Sequence, residues 1–162
     1  MSKWKGSESW QRGQAVEKEF SKLMDIRGLD YEEADRESQF KHIDYYSSFG
    51  TIDVKAKKKL NRGDGAEQDD FIWLEFKNVQ GKDGWLCGST DVIAFERDND
   101  FVLVKRRHLL DMANNKCDLN EKVTSSSKAL YKGYQRKGRK DLISLVKMSD
   151  VLTIKHRLWE KK

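Results

Sequence analysis

Proline is absent from all 162 residues, so no rigid spacer divides the chain. With no internal repeat and no long linker, one domain over residues 1–162 is expected. Only two cysteines occur, Cys87 and Cys117. Their spacing matches neither a CxxC pair nor a Cys/His metal site, which excludes a structural zinc centre and leaves two free thiols suited to a reducing compartment. The three histidines, His42, His108 and His156, leave little material for a multi-histidine metal site or a His-based triad. No apolar run approaches the ~20 residues needed to span a bilayer. The opening MSKWKGSESW carries no apolar signal core. The expectation is a soluble intracellular protein, in the cytoplasm, with no membrane partner.

Charge is abundant and unevenly placed. Lys, Arg, Asp and Glu make up 36% of the chain and the net charge is +5. Residues 1–100 hold 16 Lys/Arg against 21 Asp/Glu, a net −5, whereas residues 101–162 hold 16 against 6, a net +10. A basic C-terminal third suits contact with a polyanion, and the acids of the first part are free for other work. Five Trp, seven Phe and five Tyr argue for a folded core despite the polarity.

Trp10, Gly13, Glu17, Phe20 and Met24 recur at spacings of three and four, with Val16 and Leu23 flanking them. That pattern predicts a helix over residues 8–27 that stops at Gly28. After the acidic segment of residues 30–37, period-two patterns predict strands at 41–46, 51–56, 71–76, 91–96 and 101–105. Residues 59–70 and 81–84 read as surface loops, 107–114 as a short helix and 115–127 as a loop. The stretches 143–146 and 151–154 each fit a short strand or helix.

The stretch HIDYYSSFGTIDVKAKKK (residues 42–59) raises a specific question. A turn at Ser47-Ser48-Phe49-Gly50 sets Tyr46 opposite Thr51, Tyr45 opposite Ile52, and Asp44 opposite Asp53. Ile52, Val54 and Ala56 then face one way, and Asp53 and Lys55 the other, beside Asp44. Facing carboxylates destabilise a hairpin unless a cation compensates them. Lys55 is one candidate. Mg²⁺ is another, because it takes a few carboxylate oxygens and keeps the rest of its shell for water and phosphate. Glu17, in the middle of an apolar helical stripe, is costly to bury unpaired and is expected to point at the sheet. A further strand, FIWLEFKN, offers a second acid-x-lysine pair in Glu75 and Lys77.

A helix bearing a glutamate followed by Asp-x8-Asp-x-Lys across a hairpin resembles the PD-(D/E)XK nuclease superfamily. The likeness covers about residues 10–105. It implies an α/β fold with a restriction-endonuclease-like core, a mixed central β-sheet flanked by α-helices; the basic segment 106–162 lies beyond it. It implies a metal-dependent DNA endonuclease, with phage-encoded nucleases and Holliday-junction resolvases among similar proteins. By the resemblance, Asp44 and Asp53 are the acids, Lys55 the lysine and Glu17 the helix acid. Isoleucine replaces the proline before the first acid, and aspartate stands where glutamate is usual. A rival alignment makes Asp53 the first acid, completed by Glu75 and Lys77. Glu17, Asp44, Asp53 and Glu75 are thus the catalytic and metal-ligand candidates for Mg²⁺, with Mn²⁺ as its substitute, and Lys55 is expected to position the nucleophile.

The run Tyr131-Lys-Gly-Tyr-Gln-Arg-Lys-Gly-Arg-Lys140 interleaves Lys132, Arg136, Lys137, Arg139 and Lys140 with tyrosine and glycine, a composition suited to a phosphate backbone. Lys57 and Lys58, just past Lys55, suit the same role. Blander readings stand beside these. Glu17 is an edge residue paired with Lys22 or another cation, the two aspartates flank a structural Lys55 bridge, Trp85 is a core aromatic, and His108 has no catalytic part. The alternatives in function are a non-catalytic nucleic-acid-binding module on the same scaffold and an RNA-directed nuclease. Cutting both strands of DNA with one small domain calls for two copies, hence a homodimer.

Overall fold

The apolar stripe of the first helix becomes α1 (Glu8–Ile26) in the computed structural model, which describes residues 8–60 and 66–162. The start of MSKWKGSESW (residues 1–7) and residues 61–65 of the expected 59–70 loop lie outside the described residues. Gly28 ends α1 as its sequence position implies. At φ +68° it lets Leu29 N–H reach Met24 O at 3.0 Å while its own N–H bonds Asp25 O, a left-handed cap that glycine adopts without steric penalty.

The chain continues through β1 (Tyr31–Glu33), α2 (Arg36–Phe40), β2 (Tyr45–Ser47), β3 (Gly50–Lys55), β4 (Phe71–Lys77), a 3-10 turn at Trp85–Cys87, β5 (Val92–Glu96) and β6 (Asp100–Lys105). Beyond these lie α3 (Arg106–Lys116), β7 (Asp118–Val123), a 3-10 turn at Ser126–Lys128, β8 (Lys132–Tyr134), β9 (Leu142–Lys147), α4 (Met148–Val151) and β10 (His156–Glu160). The fold is α/β, with two mixed sheets where one was expected. Six strands run in the order β1-β2-β3-β5-β6-β10, and four in the order β4-β9-β8-β7. β3 and β5 are parallel, as are β7 and β8.

Strand alternation assigns the two cores. Ile52, Val54, Val92, Ala94, Phe101 and Leu103 face α1, where Val16, Phe20, Leu23 and Met24 are buried and Phe20 stacks on Trp159 of β10 at 5.2 Å. Ile93, Phe95, Val102 and Val104 point the other way, into a core closed by Leu74 and Phe76 of β4, Val146 of β9, and Leu109 of α3. β5 is buried on both faces, which explains its unbroken apolar run. At the mouth of the parallel pair, Asp91 Oδ2 accepts from both the backbone N–H (2.9 Å) and Oγ1 (3.0 Å) of Thr51, pinning β3 to β5.

The residues beyond 105 are woven into both sheets, β9 beside β4 and β10 beside β6. Some local expectations shift. The predicted strand over 41–46 is regular only from Tyr45, because Lys41, His42 and Ile43 N–H groups turn back to α2 carbonyls and His42 takes φ +63°. The acidic segment holds β1 and the start of α2, whose Asp35 caps Ser38 N–H at 2.8 Å. The expected 115–127 loop contains β7, and residues 151–154 end α4 and turn into β10. Both thiols are free and half-buried. No helix among the described residues is long and apolar enough to cross a membrane.

Candidate active site

The β2–β3 hairpin builds the centre. Ser47 pairs with Gly50, Tyr46 with Thr51 and Tyr45 with Ile52, so the tight turn is Ser48-Phe49 and the register is the one its sequence predicts. Asp44, one step before β2, continues the ladder in two ways. Its N–H bonds Ile52 O at 2.8 Å, and its Oδ2 accepts Val54 N–H at 2.7 Å. Asp53 lies between those two partners, only 4% exposed. Glu17 comes from α1, and its backbone carbonyl accepts the Tyr45 hydroxyl at 2.8 Å, tying helix to hairpin.

The three carboxyls lie within electrostatic reach of one another. Burial, then Asp53 and Glu33, push Glu17 up to about 7, with Lys55 opposing. Burial, then Asp53 and Glu17, push Asp44 up to about 8, against the Val54 N–H and Lys55. Among the described residues no cation lies within ion-pair distance of Glu17 or Asp44, so Glu17 is not paired with Lys22. Asp53 Oδ2 sits 3.1 Å from Lys55 Nζ yet is buried without a hydrogen bond. Glu96, in the same sheet, is the contrast. Burial would raise it as well, but bonds from Lys161 Nζ (2.9 Å) and Lys57 N–H (3.1 Å) and the charge of Arg12 hold it below the usual carboxylate range.

Lys55 is fixed from two sides, by Asp53 and by the face of Trp85, whose ring centroid lies 4.9 Å from Nζ. Trp85 is the buried aromatic it was expected to be, and it also seats the lysine. Lys55 lines a cleft of about 1370 Å³ between the six-stranded sheet, the 56–60 and 67–70 segments, and β4 with its neighbours. Glu75 also lines it, accepting Trp85 N–H at 3.3 Å, whereas Lys77 is exposed and off the lining, separated from Glu75 by a bulge. Glu17, Asp44 and Asp53 stand off the lining. They are within electrostatic reach of one another and of Lys55, yet among the described residues no three acid, histidine or cysteine side chains are gathered at metal-holding distance.

The basic candidates divide. Lys57, Lys58, Arg136 and Arg139 line the cleft. Lys58 is solvent-exposed inside this concave wall, where desolvation and the charges of Lys55 and Arg12 depress its pKa. Lys57 pairs with Asp98, and Arg136 with buried Asp141 at 2.9 Å. Lys132 is engaged by Glu121 away from the cleft, and Lys137 and Lys140 are exposed outside its lining. His108 borders a separate shallow hollow beside α3.

Sequence reasoning passed over four lining residues. Arg12 bridges Glu67 (2.8 Å) and Glu96 (2.6 Å). His42 has its carbonyl held by Thr90 Oγ1 at 2.6 Å; burial and Lys55 lower its imidazole pKa, with Asp53 and Glu75 opposing. Trp73 and Tyr134 meet at 5.6 Å between ring centroids on the cleft wall. The available signals were His42 standing two residues before Asp44, Trp73 alternating with Glu75, and Tyr134 within the basic run; the meeting of the two rings across 61 positions left none. No family model matches the chain, and no curated protein or solved structure matches it.

Proposed function

We propose that the chain is a metal-dependent nuclease of the PD-(D/E)XK kind that hydrolyses phosphodiester bonds in DNA. One observation carries this reading. Glu17 of α1 and Asp44 and Asp53 of the hairpin stand near Lys55, and among the described residues neither Glu17 nor Asp44 has an ion-pair partner; burial first, then the neighbouring carboxylates, raise these two to about 7 and 8. A structural ion-pair cluster would look like Glu96, fully satisfied and held low. Carboxyls raised by burial and by one another, with the buried Asp53 Oδ2 lacking a hydrogen bond, leave room for a divalent cation as a further partner.

Glu17, Asp44 and Asp53 are within electrostatic reach but, among the described residues, not gathered at metal-holding distance, so they would hold Mg²⁺ or Mn²⁺ only by closing their side chains on it, with Glu75 on the cleft lining as a further acid. When bound, such an ion supplies the Lewis acidity that phosphodiester hydrolysis draws on. The chain's own groups do the rest. Lys55 Nζ, oriented by Asp53 and Trp85, donates to and aligns the attacking water. Lys57, Lys58 and Arg139 offset the charge that grows on the phosphoryl oxygens and hold the backbone in place. Trp85 and Phe95 wall off solvent behind Lys55, which strengthens each of these interactions.

Supercoiled plasmid incubated with Mg²⁺ or Mn²⁺ tests the reading. Nicking by the protein that disappears with Asp53→Ala supports it. Retention of DNA on a gel without nicking under either ion identifies a non-catalytic binding module instead.

A further inference from the structure

We infer that the cleft takes an unpaired DNA strand, stacking its bases on Trp73 and Tyr134. The inference names the substrate class of the nuclease proposed above and rests on that reading for its function. Its evidence is the face that the four-stranded sheet turns toward Lys55.

Strand register puts Trp73 opposite Leu145, Glu75 opposite Ile143, and Tyr134 opposite the same Ile143. Trp73, Glu75, Ile143 and Tyr134 therefore share one face. The alternate residues Leu74 and Phe76 fill the core beneath it. Neither aromatic is needed to close that core, since both are only half-buried and both line the cleft. Polar partners border them. Arg136 and Arg139 stand two and five positions after Tyr134 and line the cleft, as do Lys57 and Lys58.

An open sheet face bearing aromatic rings among cations is how unpaired strands are gripped. Every base has a π-face to stack, and the cations follow the phosphates. In a duplex those π-faces are covered by neighbouring base pairs. A duplex lying over the cleft would leave Trp73 and Tyr134 without a base to meet, and only its phosphates would reach the cations. Rings recessed in the same cleft as Lys55 gain a ligand only when the strand is single, whether a loop, a flap or a frayed end. Arg136 is also held in place by buried Asp141, so the positive edge of the platform is ordered before a ligand arrives.

The test measures binding without cleavage, in excess chelator, by anisotropy of labelled oligonucleotides of about 15 nucleotides, close to the upper site size for such platforms. The single strand is expected to bind at least ten-fold more tightly than a blunt duplex of the same length and salt. Trp73→Ala is expected to weaken single-strand binding about ten-fold with less than a two-fold effect on duplex. Trp73→Phe should retain most of the affinity. Tyr134→Leu, judged beside a thermal melt, gives a second reading should Trp73→Ala fold poorly. Equal or tighter duplex binding, no measurable binding, single-strand affinity indifferent to both rings, or tighter binding of an RNA of the same sequence would each overturn the inference. The plasmid assay is read separately. Single-strand binding without nicking defeats the nuclease proposal alone, and nicking with duplex preference defeats the inference alone.

Discussion

Asp44 Oδ2 accepts the backbone N–H of Val54 at 2.7 Å, so a side chain takes the acceptor's place in the ladder where regular β2 has not yet begun. The bond fixes one carboxyl oxygen of Asp44 beside the buried Asp53 and leaves the other free to meet a ligand. A single hairpin thereby holds two acids close, although their repulsion opposes that arrangement. Burial first, then the neighbouring carboxylates, keep Glu17 and Asp44 protonated to higher pH than free carboxyls.

Stability in the absence of divalent ions is expected to fall as pH rises from about 4 to about 8. Glu17 and Asp44 have folded pKa values raised to about 7 and about 8, above their ordinary values of 4.5 and 3.8. Between those limits the folded protein binds more protons than the unfolded chain, so proton loss favours unfolding. Allowing for solvent screening, the effect is on the order of 2 kcal/mol, or roughly 5 °C in Tm for a chain of this size. Thermal melts in chelator at pH 5 and pH 8 measure it. Mg²⁺ or Mn²⁺ added at pH 8 should restore the lost degrees, and Asp44→Asn should flatten the profile.

Asp53→Asn separates stability from activity. Its charge is among the causes that raise both Glu17 and Asp44, and its Oδ2 makes no hydrogen bond, so the Lys55 ion pair at 3.1 Å is the contact the variant gives up. At pH 8 without metal the variant is expected to melt a few degrees higher, corresponding to about 1 kcal/mol. Under Mg²⁺ its cleavage should drop by on the order of 10³. A variant that loses both stability and activity would mean that Asp53 serves the Lys55 ion pair alone.

The hairpin register and α1 were legible because each depends on residues close in sequence: Ser48-Phe49 can close only one way once Ile52 and Val54 must face the core, and Phe20 and Met24 lie one turn apart. The two-sheet arrangement was not. FIWLEFKN has the alternation of any half-buried strand, and nothing local says that β4 pairs with β9, 65 or more positions away. β7 was hidden for a different reason. Only Leu119 and Val123 of Asp118–Val123 are apolar and half-buried, and Glu121 stands between them on that face, so period two has too weak an apolar signal to show. The candidate acids came from the resemblance and from hairpin geometry, while Trp85 under Lys55 and Trp73 beside Tyr134 are contacts between distant elements, which composition does not encode.

Lys55→Met should preserve the stem that packs over Trp85 and remove the charge. Cleavage is expected to fall by about 100-fold or more, with intrinsic tryptophan emission altered by loss of the cation over the ring. Binding of DNA in chelator should change by no more than a few-fold, because the remaining cations hold the backbone. Unchanged cleavage would remove Lys55 from the reaction.

Gly84→Ala tests how the Glu75 wall is held. A Cβ at this position would lie 2.5 Å from the Glu75 carbonyl oxygen and 2.6 Å from its Cγ, so the backbone of β4 or the 3-10 turn must move. The expected penalty is about 1–3 kcal/mol, read as a lower Tm. The same shift displaces Glu75 from Trp85 N–H and should lower cleavage beyond what the stability loss explains at a temperature where the variant is folded.

Arg139 and Lys132 lie seven residues apart in the same basic run yet have different surroundings. Arg139 is exposed and lines the cleft without an ion-pair partner among the described residues, whereas Lys132 is engaged by Glu121 outside it. Each phosphate contact adds about one to the slope of log affinity against log salt, about 0.9 for duplex and 0.7 for single strands. Arg139→Ala is therefore expected to weaken binding at low salt and to reduce that slope by nearly one. Lys132→Ala should leave the slope within error of the parent protein. Arg136→Ala is a poorer probe, because it strips buried Asp141 of its partner and destabilises the fold as well. A salt titration of DNA binding by the three proteins, parent, Arg139→Ala and Lys132→Ala, decides the matter. Equal slopes for all three would place the nucleic acid elsewhere on the surface.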